Sequence, residues 1–185
     1  MIELVTALDT NALQAVYAWR TPELVAFFSS VTLLGNVFFI TVVALSMAFV
    51  LWRHKRFEYK AGLAVALFGS LLASYVVKII VERPRPPEIF HLIFETGYSF
   101  PSMHAATSMA TYGFLAYMTW KLMRPSHHRL PWIVFLCALI LLVGFSRVYL
   151  GVHYASDVIA GFAIGAFFLW LGTIVTKQLK SRAKV

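Results

Sequence analysis

AGLAVALFGSLLASYVVKIIV, residues 61–81, is apolar except for small residues, one tyrosine and a single charge, Lys78, close to its end. About 20 residues rising 1.5 Å each cross the ~30 Å hydrocarbon slab of a bilayer, so this run predicts a membrane helix. Four further runs qualify or come close: 36–52, 103–120, 131–146 and 154–176. The 185-residue chain is 60% hydrophobic, above the roughly half found in soluble domains. These features predict an all-α fold, a polytopic membrane helix bundle with five transmembrane helices, forming one domain over 1–185. Residues 1–35 mix apolar residues with Asp9, Asn11, Arg20 and Glu23, and Pro22 and Gly35 interrupt them. That pattern predicts one or two amphipathic helices at the interface and leaves a sixth span open. It lacks the basic start and cleavage site of a signal peptide. Residues 36–177 then form the transmembrane core and 178–185 a basic cytoplasmic tail.

Outward from this run, charge sets the orientation. Net charge is +8, and eleven of the sixteen Lys and Arg residues fall in three clusters. Arg53, Lys55, Arg56 and Lys60 follow the first run. Lys121, Arg124 and Arg129 follow the third. Lys177, Lys180, Arg182 and Lys184 follow the fifth. All three lie on one side, which the positive-inside bias makes cytoplasmic. The clusters read as topology determinants beside anionic headgroups and argue against nucleic acid as a partner. Cys137, the single cysteine, reads as a buried apolar filler, with no disulfide or thiolate metal site available.

The opposite side holds what the bias disfavours. Lys78, Arg83, Arg85 and Arg147 end spans there, with His91, His104, His153 and Asp157. Ionisable groups beside hydrocarbon are costly and mark function by default. Snorkelling, or pairing with Glu82, Glu88 and Glu95, is the structural alternative for the cations, Arg83 above all. In ERPRPP, residues 82–87, the prolines must end the helix, leaving Lys78 one turn below pointing towards Arg85. In YSFPSMHAATS, residues 98–108, Ser102 is an N-cap candidate that brings free N–H groups beside His104. In SRVYLGVHYASD, residues 146–157, His153 and Asp157 are four apart, so the carboxylate can hold the imidazole. Two arginines, a lysine and a helix start suit an anion with several oxygen acceptors, above all a phosphate. Two histidines beside it supply a nucleophile and an acid. No Walker loop, HExxH motif or close carboxylate cluster is present, so the positive charge is expected from side chains, without metal or cofactor.

These residues resemble the type-2 phosphatidic-acid phosphatase superfamily, which joins integral membrane lipid phosphatases and soluble vanadium haloperoxidases. Its motifs are K-x6-R-P, P-S-G-H and S-R-x5-H-x3-D. The chain matches them with Lys78, Arg85 and Pro86; with Pro101, Ser102 and His104; and with Ser146, Arg147, His153 and Asp157. Met103 stands where the family carries glycine. The resemblance implies that His153 attacks phosphorus to form a phosphohistidine, that Asp157 orients it, and that His104 protonates the leaving oxygen and then activates water. Lys78, Arg85, Ser102, Met103 through its N–H, and Arg147 would bind the phosphate. The implied activity is hydrolysis of a membrane lipid phosphate or diphosphate, of the undecaprenyl diphosphate or phosphatidylglycerol phosphate type, at the outer face of the cytoplasmic membrane. Two alternatives stay open: a lipid phosphotransferase passing the phosphate to a second lipid, and a non-enzymatic lipid-binding or lipid-moving protein. The oligomeric state is open, a monomer included. Tyr98, Tyr149 and Tyr154 read as interface anchors near the mouth. Gly161 and Gly165 are expected to let the last span pack closely inside the bundle.

Overall fold

Capping residues set where the N-terminal helices begin. The computed structural model describes residues 2–183, with side-chain surroundings from residue 5 onward; Met1, Lys184 and Val185 lie outside the described residues. Helix α1 (Ile2–Ala18) stops before Thr21, whose hydroxyl accepts from the Leu24 N–H at 3.3 Å and opens α2 (Pro22–Leu33). Proline follows the cap, where a missing N–H costs nothing. The chain breaks at Leu34 to Asn36, and Asn36 Oδ1 accepts from the Phe38 N–H at 2.8 Å to start α3 (Val37–Arg53). Then come α4 (Phe57–Val81), α5 (Met103–Leu122), α6 (Arg129–Tyr149) and α7 (Ala155–Arg182). Helix α4 ends just before the prolines, with Glu82 in the left-handed region at φ 50°. A 21-residue strap, 82–102, with one short 3-10 turn, Glu88–Phe90, leads on to α5.

The fold is all-α among the described residues, with seven α-helices and no strand. Of the five expected spans, three helices and one bent pair meet the criterion of length and composition. Helices α4, α6 and α7 are each long and apolar enough to cross a membrane, and α2 with α3 meets the requirement jointly across a 48° bend. Helix α3 alone has 17 residues. Helix α5 has the length, at 20 residues, but not the apolar character, because it fills the bundle's centre rather than facing lipid. Ala105, Ala106, Thr107, Ser108, Ala110, Thr111 and Phe114 are all fully buried there. A helix whose neighbours are other helices can carry Ser and Thr that a lipid-facing one would avoid. Residues 1–35 do form two helices, but α2 joins the bundle rather than lying apart. It packs Phe28 on Phe145 and Tyr149 of α6.

Close backbone contact holds the bundle. A Cβ on Gly161 would collide with the Ser102 carbonyl, and one on Gly165 with the Ala106 carbonyl, so both glycines seat α7 against α5 inside the molecule. Cys137 is a correction: it is exposed, on the same face of α6 as exposed Val134 and Leu141, where small apolar side chains face the lipid. Because α4 to α7 alternate in direction, the end of α4, the start of α5, the end of α6 and the start of α7 meet at one end. The basic residues of 53–60, 121–129 and 177–182 gather at the other.

Candidate active site

Helix α7 supplies the base of the site. Asp157 is its third residue, fully buried, and Oδ2 accepts from the Tyr154 N–H at 2.9 Å, which fixes the carboxylate at the helix start. The same oxygen faces His153 Nδ1 at 3.4 Å. His153 lies just before the helix in a tight turn that depends on Gly151 at φ +77°, where the Phe90 carbonyl leaves no room for a Cβ. With Nδ1 turned to Asp157, Nε2 faces Arg85, 3.4 Å from a guanidinium nitrogen. Burial pushes His153 down to about 4, so the ring is neutral near pH 7 and Nε2 carries a lone pair.

The cations converge from three elements. Arg85 is held by three carbonyl contacts and a carboxylate: Nε donates to Gly97 O at 3.0 Å, one terminal nitrogen to Val152 O at 2.9 Å, and the other to Thr96 O at 2.9 Å. The fourth partner is the Glu95 carboxylate at 3.7 Å. Arg147, at 1% exposure, donates to Thr32 Oγ1 at 2.8 Å and to Glu95, while its Nε is buried with no partner among the described residues. Lys78 Nζ donates to the Tyr98 carbonyl at 2.5 Å. Burial would raise the Glu95 carboxyl, but Arg147 and Arg85 hold it below the usual range, so it is ionised.

Ser102 precedes α5, as the N-cap position requires, but does not act as a side-chain cap. Its N–H donates to the Asp157 carbonyl at 3.0 Å, and its fully buried Oγ has no partner among the described residues. That leaves the hydroxyl and the first-turn N–H groups of α5 for an anion. Met103 begins the helix, and its φ is not positive; among the described residues the non-glycine positions with positive φ are Lys55 and Glu82. The family's glycine is therefore not required there by backbone conformation. His104 is half-buried within electrostatic reach of Arg147, His153, Arg85 and Lys78. The α2–α3 break lies against it: a Cβ on Gly35 would stand 3.2 Å from His104 Cδ2.

The residues of all three motifs thus form one cluster. A model of the PAP2 superfamily matches residues 59–181. The chain belongs to that superfamily. It is 33% identical over 180 residues to phosphatidylglycerophosphatase B of Bacillus subtilis (strain 168), covering 91% of this chain and 87% of that protein. It is 30% identical over 200 residues to lipid A 4'-phosphatase of Bacteroides thetaiotaomicron, covering 98% and 83% respectively. The crystal structure of a transmembrane PAP2-type phosphatidylglycerolphosphate phosphatase from Bacillus subtilis superposes with a TM-score of 0.83 at 28% identity, over 95% of this chain and 87% of that one. The protein is accordingly a PAP2-type phosphatase, a phosphoric ester hydrolase.

Several residues of this PAP2 site escaped sequence reasoning, and two of them lie before the matched segment. Asp9, at 3% exposure on α1, accepts from Arg83 at 2.8 Å, the Ser156 N–H at 2.9 Å and Ser156 Oγ at 2.5 Å. Arg83 in turn reaches Asp157 Oδ1 at 2.6 Å and stacks over Tyr154 at 4.2 Å. Arg83 therefore does not pair with Glu82, Glu88 or Glu95; it ties α1 to the carboxylate behind His153. Thr32, the Arg147 partner, sits in the last turn of α2. Among the tyrosines, Tyr98 donates its hydroxyl to Glu82 at 2.8 Å, whereas Tyr149 is buried at 2% exposure and is no surface anchor. Its carbonyl accepts from Arg20 at 2.7 Å. His91 stays in the strap.

Proposed function

We propose that this PAP2 phosphatase removes phosphate from a membrane lipid phosphate or diphosphate through a phosphohistidine, without a metal, at the outer face of the cytoplasmic membrane. The observation that carries the reading is His153: Asp157 behind Nδ1, Arg85 beside Nε2, and the partnerless Arg147 Nε and Ser102 Oγ in the same cluster. In the first step Nε2 attacks phosphorus, an N–P bond forms and the P–O bond to the lipid breaks. His104 gives its proton to the departing oxygen. In the second step His104 takes a proton from water, the water oxygen attacks phosphorus, and inorganic phosphate leaves as His153 recovers its electron pair. Arg85, Arg147, Lys78, Ser102 and the first N–H groups of α5 neutralise the phosphoryl oxygens, whose charge grows in each transition state. The 3.4 Å separations at His153 are longer than a strong hydrogen bond, and such contacts tighten when substrate arrives.

The outer-face assignment is supported by the basic residues at the bundle's other end. Similarity to phosphatidylglycerophosphatase B makes phosphatidylglycerol phosphate the first substrate to assay, with undecaprenyl diphosphate beside it, since the same cations would hold either. The test measures phosphate release from a panel of purified lipid phosphates in EDTA, wild type beside His153→Ala. Release in EDTA that disappears in the variant, with labelled phosphate trapped on wild type but not on the variant, is expected. Loss of activity in EDTA, or turnover by His153→Ala, overturns the mechanism. Label appearing in a second lipid instead of inorganic phosphate would make the reaction a transfer.

A further inference from the structure

Far from the catalytic cluster, the α3–α4 hairpin carries a second feature with its own chemistry. A cavity of about 360 Å³ is lined by Leu51, Trp52, Arg53, Lys55, Phe57 and Lys60. Three of those six residues are cationic and none is acidic. The nearby acid, Glu58, is paired with Arg56 at 3.8 Å. Trp52 and Phe57 are 62% and 65% exposed, the placement of aromatic rings at the headgroup level of a bilayer. Lys60 lies 5.3 Å from the Phe57 ring and belongs also to a second, narrower cavity of about 260 Å³. That second cavity is an apolar slot between α3 and α4, bounded by Ala44, Leu45 and Ala48 on one side and Leu63, Leu67 and Leu71 on the other.

We propose that the two cavities form one site for an anionic phospholipid, its phosphate held by Arg53, Lys55 and Lys60 and one acyl chain lying in the slot. The dimensions agree. From Lys60 to Leu71, α4 rises about 16 Å at 1.5 Å per residue, close to the ~15 Å half-thickness of the hydrocarbon core. The charge selects an anionic headgroup over a zwitterionic one, and the apolar slot selects a lipid over free phosphate. The site is separate from the catalytic one, since Lys60 and Lys78 stand about 27 Å apart along α4. A chain wedged in the slot supplies contact that α3 and α4 lack there, bracing the hairpin whose far end presents Lys78.

Trp52 makes the proposal measurable, because bromine on a lipid quenches indole fluorescence at contact. The full chain is placed in phosphatidylcholine vesicles containing either brominated phosphatidylglycerol or the same fraction of brominated phosphatidylcholine. The Trp52 signal is the difference between wild type and Trp52→Phe. Phosphatidylglycerol is expected to quench at several-fold lower fraction. Replacing Lys55 and Lys60 by glutamine should cut that preference about fivefold per charge, the worth of one basic residue beside an anionic surface. The arginine pair at the same positions should keep it, and circular dichroism verifies each fold. Ala48→Leu, which narrows the slot and leaves every charge, should weaken quenching by phosphatidylglycerol. Equal quenching by the two lipids, an undiminished preference in the glutamine pair, or full quenching in Ala48→Leu overturns the proposal. Relief of quenching by inorganic phosphate would also overturn it, by making free phosphate the ligand.

Discussion

Replacing Asp9 by asparagine removes one negative charge and almost no volume. Oδ1 can go on accepting from the Ser156 N–H, but the charged contact to Arg83 is lost. A hydrogen bond to a charged group contributes about 2 kcal/mol, and neither partner here is more than a quarter exposed, so solvent screens little of it. Arg83 then keeps a single anionic partner, Asp157 at 2.6 Å, and its guanidinium is free to shift the carboxylate that orients His153. If half of that loss reaches the transition state, kcat falls about fivefold. KM stays within about twofold of wild type, because Asp9 lies behind the nucleophile rather than among the phosphate-binding cations. Asp9→Ala, which also strands two Ser156 donors, should cost about a hundredfold. The acid limb of kcat/KM gives a second readout. Asp157 favours the protonated form of His153, so loosening this chain of charges moves the limb to lower pH. Steady-state assays of the folded variants across pH decide the matter. Wild-type kcat with an unmoved acid limb in Asp9→Asn would refute the linkage and reduce α1 to packing.

Other outcomes follow from the same geometry. In wild type, kcat/KM should decline as pH falls through about 4, where His153 takes up a proton and loses its lone pair. Met103→Gly should change hydrolysis less than about tenfold, since helical φ already suits methionine; a gain of about a hundredfold would show that methionine cripples the site. Gly35→Ala should destabilise the fold by about 1–3 kcal/mol and lower kcat, because the added methyl meets stiff Val143 and presses on His104; a thermal melt and an initial rate check both.

The catalytic cluster was legible because its residues keep fixed spacing within single strands of text. Lys78 to Arg85 and His153 to Asp157 each fall within one turn or loop, so sequence distance limits spatial distance. Asp9 and Thr32 had no such mark. Each reaches an arginine across the bundle, 74 and 115 residues away in sequence, and an isolated acid or hydroxyl in a mixed segment carries no periodicity. The helices themselves were read from hydropathy, and the shortfall of α3 and α5 against the criterion of length and composition has the same root. Hydropathy asks what lipid would tolerate, whereas α5 meets other helices, and α3 completes its length only with α2 across the Asn36 break. Cys137 erred in the opposite direction: a small apolar residue suits the lipid face as well as the core.

The PAP2 match opens at residue 59, and that border marks where the superfamily's shared pattern begins, not where the working machine starts. A fragment cut there would preserve every diagnostic letter while stripping Arg83 of Asp9 and Arg147 of Thr32. It would also free two main-chain oxygens that Arg20 clamps, those of Tyr149 and Phe90, on the turn leading to the nucleophile and on the strap facing it. Such a truncation would still score as kin yet arrive with its reactive imidazole poorly aimed.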